Sequence, residues 1–440
     1  MLVSLPRLHR ITVRQTRNND EVNLVLYSIL ATLGVVIISV RFLLGATRLH
    51  LDLFLFGVIY YLLVPGIVVE LALVESSPGI PQWRSVATGF YTEHATEFLV
   101  TVAVWVVAYV FGAFLCRKTS HKGVESGPLG RLPANVALGV VSLPLMATAA
   151  IYIAAGRSAL FQGYRVDYDT FVRGGIATAT LCLYVVFLHL LPKRVSLLWV
   201  ILITVLAVCG AVLLVSGSRM YVLVPAVGLC AALALRYRQP RVRLGLAAAA
   251  VAVAALLAMV GSWRLGDKAD NAMLYMILAE PVFTSYSFAT FWTGNKLPMF
   301  ELPVPAISGL LNFVPSILWP DKVSYIVSVA DVGYSYYAPL GATSIVVSLI
   351  GNFGLAGGTL FLGTLGFILE SLYLRAMRRP SGMPLYLVML SLLPFMFFRD
   401  AFPIVLKAVL LLVVVLPFAL RVMSLFLWTV VSSSQSKGAA

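Results

Sequence analysis

Leu197-Leu-Trp-Val-Ile-Leu-Ile-Thr-Val-Leu-Ala-Val-Cys-Gly-Ala-Val-Leu-Leu-Val215 carries no charge, and Ser216-Gly217-Ser218-Arg219 closes it before a second apolar run opens at Met220. A helix needs about 20 mostly apolar residues to cross the hydrocarbon core of a bilayer. The run therefore reads as a membrane span, and the short polar turn after it as the hairpin leading into the next one.

The same pattern recurs in both directions. Apolar stretches lie near 24–44, 51–74, 96–116, 135–155, 172–191, 197–215, 220–235, 244–261, 343–374, 384–398 and 401–428. This predicts an all-α polytopic membrane protein of about 11 (10–12) transmembrane helices. Residues 1–440 read as one integral membrane domain, because no hydrophilic stretch is long enough for a separate soluble one and no tandem repeat stands out. Composition agrees: 60% of the 440 residues are hydrophobic and 11% charged, against about 25% charged in soluble domains.

Cys116, Cys182, Cys209 and Cys230 all fall within or at the end of apolar runs, so they read as small buried hydrophobes and not as a disulfide framework. Arg7, Arg10, Arg14 and Arg17 precede the first run without a small-residue cleavage site after it, which predicts an uncleaved first span.

The net charge of +14 does not point to nucleic acid, because its placement follows the membrane. Arg117, Lys118, Lys122, Arg131, Lys193, Arg194, Arg236, Arg238, Arg241, Arg243, Arg375, Arg378 and Arg379 sit in four connections that hold a single acid, Glu125. That is the excess of basic residues expected of cytoplasmic loops, and a basic face with interleaved base-stacking aromatics is missing. Alternation makes the connections 75–95, 156–171, 216–219, 262–342 and the Arg399-Asp400 turn external. Eleven spans with an internal C-terminus put the N-terminus outside, where its four arginines do not belong. The first two spans are thus open in orientation.

The large external loop, 262–342, interleaves charges with Trp263, Trp292, Trp319 and the group Tyr334, Tyr336 and Tyr337. Aromatic faces beside carboxylates suit carbohydrate, and aromatics also collect at membrane interfaces as anchoring belts. Residues 271–292 have the make-up of an amphipathic helix lying on the bilayer, whereas Leu297-Pro298 through Pro305 is too rich in proline to be helical.

Taken together, Ser216-Gly217-Ser218-Arg219, then Asn312-Phe313-Val314-Pro315 and Leu318-Trp319-Pro320-Asp321-Lys322 in the long loop, Gly351-Asn352-Phe353-Gly354 and a late Arg399-Asp400 resemble the oligosaccharide repeat-unit polymerases, the O-antigen (Wzy-type) polymerase family. This family is distantly similar to the O-antigen ligases, and the likeness runs over roughly residues 20–430. It implies a C-type glycosyltransferase-like fold in the bacterial inner membrane, metal-independent and without a cofactor, with its active site on the periplasmic face. Donor and acceptor would both be undecaprenyl-diphosphate-linked glycans. A flippase and a chain-length regulator would be partners besides the lipid bilayer.

On that reading the external cations bear the mechanism. Arg219, Arg264, Arg399, Lys322 and Arg165 are the candidate substrate-binding groups, since a guanidinium forks two hydrogen bonds onto adjacent phosphate oxygens and stabilises a departing diphosphate. Each has a plainer role open to it. Arg219 and Arg264 suit snorkelling at helix ends, and Arg399 suits an ion pair with Asp400 or another helix. Lys407, two turns into the last run, is a further internal charge. Inversion at an anomeric carbon needs a base at the attacking hydroxyl, for which Asp331, Asp400 and Asp321 are the candidates. His94 is the one histidine placed externally.

Asp167-x-Asp169, after Arg165, imitates the paired aspartates that hold a metal in other glycosyltransferases, but no further ligand cluster accompanies it, so no metal is expected. Gly351, Gly354, Gly357, Gly358, Gly363 and Gly366 suit close helix packing, with a groove for a polyprenyl tail as the other use. Two other functions share these features: a ligase passing finished glycan to an acceptor such as lipid A-core, and a flippase or transporter for lipid-linked oligosaccharide. Transporters place charges at the membrane midplane and are built from repeats; here the external charges gather at one face.

Overall fold

The computed structural model describes residues 25–74, 80, 82–119, 134–155, 170–191, 195–265, 272–314 and 318–437. Among these the secondary structure is helical, with no strand element. In order, the helices are α1 Val25–Leu43 and α2 Leu49–Glu70, α3 Trp83–Thr119, α4 Asn135–Ala155, α5 Thr170–Leu190, α6 Leu197–Val215 and α7 Met220–Arg236. They continue as α8 Pro240–Leu265, α9 Ala272–Gly294, α10 Val304–Ser308, α11 Ile345–Arg378, α12 Met383–Leu392 and α13 Met396–Arg399. The last, α14, runs Phe402–Val409, through a π turn Leu410–Val415, into Leu416–Lys437.

Each apolar stretch named above is largely helical, although 71–74 lies past the end of α2 and 384–398 is split at 393–395 between α12 and α13. Nine of the described helices are long and apolar enough to cross a membrane, and the stretches around 174–190 and 220–236 form shorter apolar helices. The protein is thus a multi-pass membrane protein by the length and composition of its helices.

Local chemistry sets the ends of these helices. Ser196 caps α6, its side chain accepting from the Trp199 amide at 3.3 Å. Gly217, at φ 83°, ends the same helix in a Schellman turn, in which the Ser218 and Gly217 amides donate to Leu213 and Leu214 carbonyls at 2.8 and 3.0 Å. Only glycine takes that conformation without strain. Arg117 and Lys118 close α3, where cations suit the negative end of a helix.

Contacts divide the chain into two compact units, each assembled from three stretches: 1–112, 266–366 and 397–403 in the first, 113–265, 367–396 and 404–440 in the second. In the first unit, α3 and α9 share an aromatic core. Phe98 and Phe288 stack at 4.9 Å, and Phe90 meets Phe288 edge-on at 5.3 Å. The Trp83 indole donates to Ser285 Oγ at 3.0 Å, and Tyr60 on α2 donates to the Ile277 carbonyl at 2.6 Å. The expectation of a helix at 271–292 lying flat on the bilayer is therefore corrected. Residues 281–285, 287–289, 291 and 292 are buried, so α9 is a core helix, because it carries aromatic or small side chains around its whole girth.

Glycine lets backbones touch in this unit. A Cβ at Gly112 of α3 would collide with the Gly363 carbonyl of α11, which is the close packing expected of the late glycines. Gly354 breaks α11 at φ 75°, ψ 177°. The segment 298–301 docks on the break. Glu301 N–H donates to the Phe353 carbonyl, and the Leu355 and Ala356 amides donate to Pro298 and Met299 carbonyls at 2.9 Å. These bonds satisfy groups that the broken helix would otherwise leave bare. The expectation that 297–305 is not helical holds for 297–303, but Val304 and Pro305 open α10, where a proline fits the first turn.

The second unit has an aliphatic core of Leu138, Leu183, Val186, Phe187, Leu190, Leu202 and Leu420. The Arg117 Nε donates to buried Glu370 at 2.9 Å. Arg243, fully buried, donates to the Ala234 carbonyl at 2.8 Å and so ties the turn between α7 and α8.

Candidate functional site

The most elaborate buried polar group in the first unit lies where two apolar helices are interrupted. Pro394 follows the end of α12, α13 lasts a single turn, Asp400 bends the chain, and Pro403 opens α14. Proline lacks the amide to continue a helix, so the break is written in the sequence. It delivers Arg399 and Asp400 side by side into the core.

Arg399 Nε donates to Glu280 Oε2 of α9 at 2.6 Å, and Arg399 Nη1 donates to Asp400 Oδ1 at 2.9 Å. The three side chains are 18%, 24% and 4% exposed. One guanidinium faces two carboxylates, and its Nη2 is used by no described residue.

A second layer surrounds them. Ser348 Oγ on α11 donates to the Asp400 carbonyl at 3.4 Å, and Asn352, one turn on, donates to the Ser348 carbonyl at 2.7 Å. Tyr61 stacks on Phe398 at 6.0 Å, and its hydroxyl is within electrostatic reach of Glu280, Arg399 and Asp400. Tyr61 sits in a π turn of α2, Ile59–Leu63, a distortion frequent at functional positions. Gly57 leaves room for the Phe398 ring and Gly309 for Pro403. Three buried polar atoms of this neighbourhood lack a hydrogen-bond partner among the described residues: Tyr61 Oη, Asn352 Oδ1 and Asp400 Oδ2. Such atoms are costly in a dry core and mark where water or a ligand would be received.

The three candidate bases separate clearly. Asp331 is exposed and caps its own turn, its Oδ2 accepting from Ser328 N–H and Oγ at 2.7 Å each; these bonds hold its carboxyl below the usual range, which makes it a weaker base. Asp321 is exposed at the start of the 3-10 turn Pro320–Tyr325. Asp400 alone is buried, in the bend between two spans, with one oxygen held by Arg399 and the other unpartnered.

The candidate cations do not form one described cluster. Lys322 is buried and donates to the Val314 carbonyl, so it braces the loop. No described hydrogen bond or ion pair joins Asp321, Lys322 or Asp331 to Arg399. Arg219 is half-buried at the N-cap of α7 without a side-chain cap bond. It belongs with Arg264 to the second unit, whereas Arg399 belongs to the first. Arg165, Asp167 and Asp169 lie outside the described residues. His94 sits beside Glu97 at 3.6 Å. Among the described residues no three His, Cys, Asp or Glu side chains gather as metal ligands.

Glu280 and Tyr61 are the site residues that sequence reasoning missed. Glu280 had a signal: it is the only charge between residues 272 and 294, and a lone carboxylate in an apolar helix requires a partner. Tyr61 had none, because a tyrosine in an apolar run reads as core or belt.

The helices define the class: a polytopic α-helical membrane protein with an ionic cluster at a helix break. No protein-family description, no curated protein and no solved structure matches this chain.

Proposed function

We propose that this protein is a metal-independent, inverting glycosyltransferase of the bacterial inner membrane that joins undecaprenyl-diphosphate-linked oligosaccharide repeat units into O-antigen or a related surface polysaccharide on the periplasmic side. The observation that carries the reading is the partly buried Arg399, Asp400 and Glu280 cluster at the break between two apolar helices. Asp400 takes the proton of the attacking sugar hydroxyl on its unpartnered Oδ2, while Arg399 orients the carboxylate through Oδ1. The departing diphosphate calls for fixed guanidiniums, which stabilise developing negative charge without reorganising; Arg219, Arg264 and Arg399 are the candidates. The exposed carboxylates and tyrosines of the loop bind sugar, and a flippase and a chain-length regulator act beside it.

The resemblance of the motifs and the one-sided distribution of basic loops support this reading; a ligase and a flippase share parts of it. The glycan profile of a deletion strain separates the three. Polymerase loss leaves single repeat units on the final acceptor, ligase loss accumulates lipid-linked polymer, and flippase loss leaves repeat units inside the cell. Either of the last two profiles would displace the proposal. Cysteine labelling checks the orientation: with an impermeant maleimide, Lys296→Cys should react in spheroplasts and Arg238→Cys should be protected, both positions being exposed.

A further inference from the structure

We infer that residues 299–310 of the first unit are seated in the bilayer, in the leaflet opposite the basic end of α11, and do not form part of an aqueous loop. Between Lys296 and Asp321 the one charge is Glu301, and its Oε2 accepts from the Tyr334 hydroxyl at 2.7 Å. The apolar side chains around it face outward. Phe300, Leu302 and Ile307 are 67%, 74% and 61% exposed, and Met299, Val304 and Leu310 are exposed as well. Val304, Ile307 and Leu310 recur at every third residue through α10 and the 3-10 turn Gly309–Phe313, which sets them on one face. A surface that meets water rarely carries so continuous an apolar patch.

Depth tells what covers the patch. Arg375 and Arg378 mark the basic end of α11, and a helix crosses the hydrocarbon core in about 20 residues. The break at Gly354 therefore falls near the other membrane surface, and the segment 298–301 is bonded to that break. Phe300 reaches over Gly357, where an added Cβ would stand 3.9 Å from its ring. Along the same face of α11 follow Leu360, 66% exposed, and Thr364, exposed with its hydroxyl donating to the Leu360 carbonyl at 2.9 Å. Such a face on a span meets lipid, and Phe300 prolongs it into the segment 299–310. Backbone chemistry agrees. Pro298, Pro303 and Pro305 have no amide to leave bare, and the Val304 and Ile307 amides donate to the Leu302 and Pro303 carbonyls at 2.7 and 2.9 Å. Ser308 Oγ donates to the Pro305 carbonyl at 3.1 Å. Polar groups satisfied within the protein are what the border of hydrocarbon demands. Gly309 lies against Pro403, so the lipid-seated element also supports the bend that carries Asp400. The seating is independent of the reaction proposed above.

The full chain, with Cys116, Cys182, Cys209 and Cys230 changed to alanine, would be spin-labelled at single introduced cysteines and reconstituted in phosphatidylcholine liposomes. Collisions with oxygen, which concentrates in hydrocarbon, would be compared with collisions with a water-soluble nickel chelate present on both sides. We expect labels at Leu302→Cys and Ile307→Cys to collide with oxygen and to lose the nickel collisions shown by labels at Lys296→Cys and Arg238→Cys. Val304→Cys replaces either variant should it fail to fold. Adding Ile307→Glu to the Leu302→Cys protein should bring the nickel collisions back. Nickel collisions at 302 and 307 as frequent as at 296 would overturn the inference and leave the patch to a soluble partner. Shielding from both reagents would also overturn it, and dipolar broadening between labels would then point to a second copy of the chain.

Discussion

Arg399 and Glu280 are 119 positions apart in the chain and meet at 2.6 Å, so the turn between the last apolar helices is tied to the core helix α9 by a charge pair in partly buried surroundings. Removing one partner of a buried pair costs about 3–5 kcal/mol, because the other charge stays desolvated without compensation. Glu280→Gln should therefore lower the thermal midpoint of the purified protein markedly, and Arg399→Lys should lower it less, since a charge remains but the second hydrogen bond does not. An unchanged midpoint in Glu280→Gln would show that the pair contributes nothing to the fold.

Asp400 and Asp331 separate by activity. General-base assistance contributes about 10²- to 10⁴-fold to rate, so Asp400→Asn, which preserves shape, should cut polymerisation by about 100-fold or more at normal protein levels. Asp331→Asn should retain most activity and at most loosen the turn at Ser328. The reverse ranking would move the base into the exposed loop.

Gly354 is a test of the helix break. Its φ of 75° lies where non-glycine residues are strained, and a Cβ there would press on the Met299 and Phe300 backbone. Left-handed strain costs about 1–3 kcal/mol, with the steric clash in addition. Gly354→Ala should reduce folded yield and thermal stability, whereas Gly245→Ala, where a Cβ meets nothing within 4 Å, should not.

Metal independence is checked with one reagent. If guanidiniums neutralise the leaving diphosphate, purified enzyme with lipid-linked repeats should polymerise in EDTA, and Asp167→Asn with Asp169→Asn should keep most activity. Loss in EDTA and recovery on adding magnesium or manganese would replace the arginines by a cation at the paired aspartates.

What the sequence by itself determined is the membrane class and the position of most of the apolar helices, including the end of α6 at Gly217. Both follow from local rules: an uncharged run near 20 residues belongs in hydrocarbon, and glycine or proline stops a helix whatever surrounds it. The turn at Arg399-Asp400 and the non-helical stretch before α10 were legible too, whereas the break at Pro394, inside a stretch read as one span, was not. Tertiary structure alone decided that α9 is buried, because its surface offers no polar face for water and only packing shows which neighbours cover it. It also decided the ranking of Asp400 over Asp331 and Asp321, and the pairing of Arg399 with Glu280. A carboxylate's basicity and a guanidinium's availability depend on what stands within hydrogen-bond reach, and the partner that engages Arg399, Glu280, comes from a helix 119 positions away in the chain.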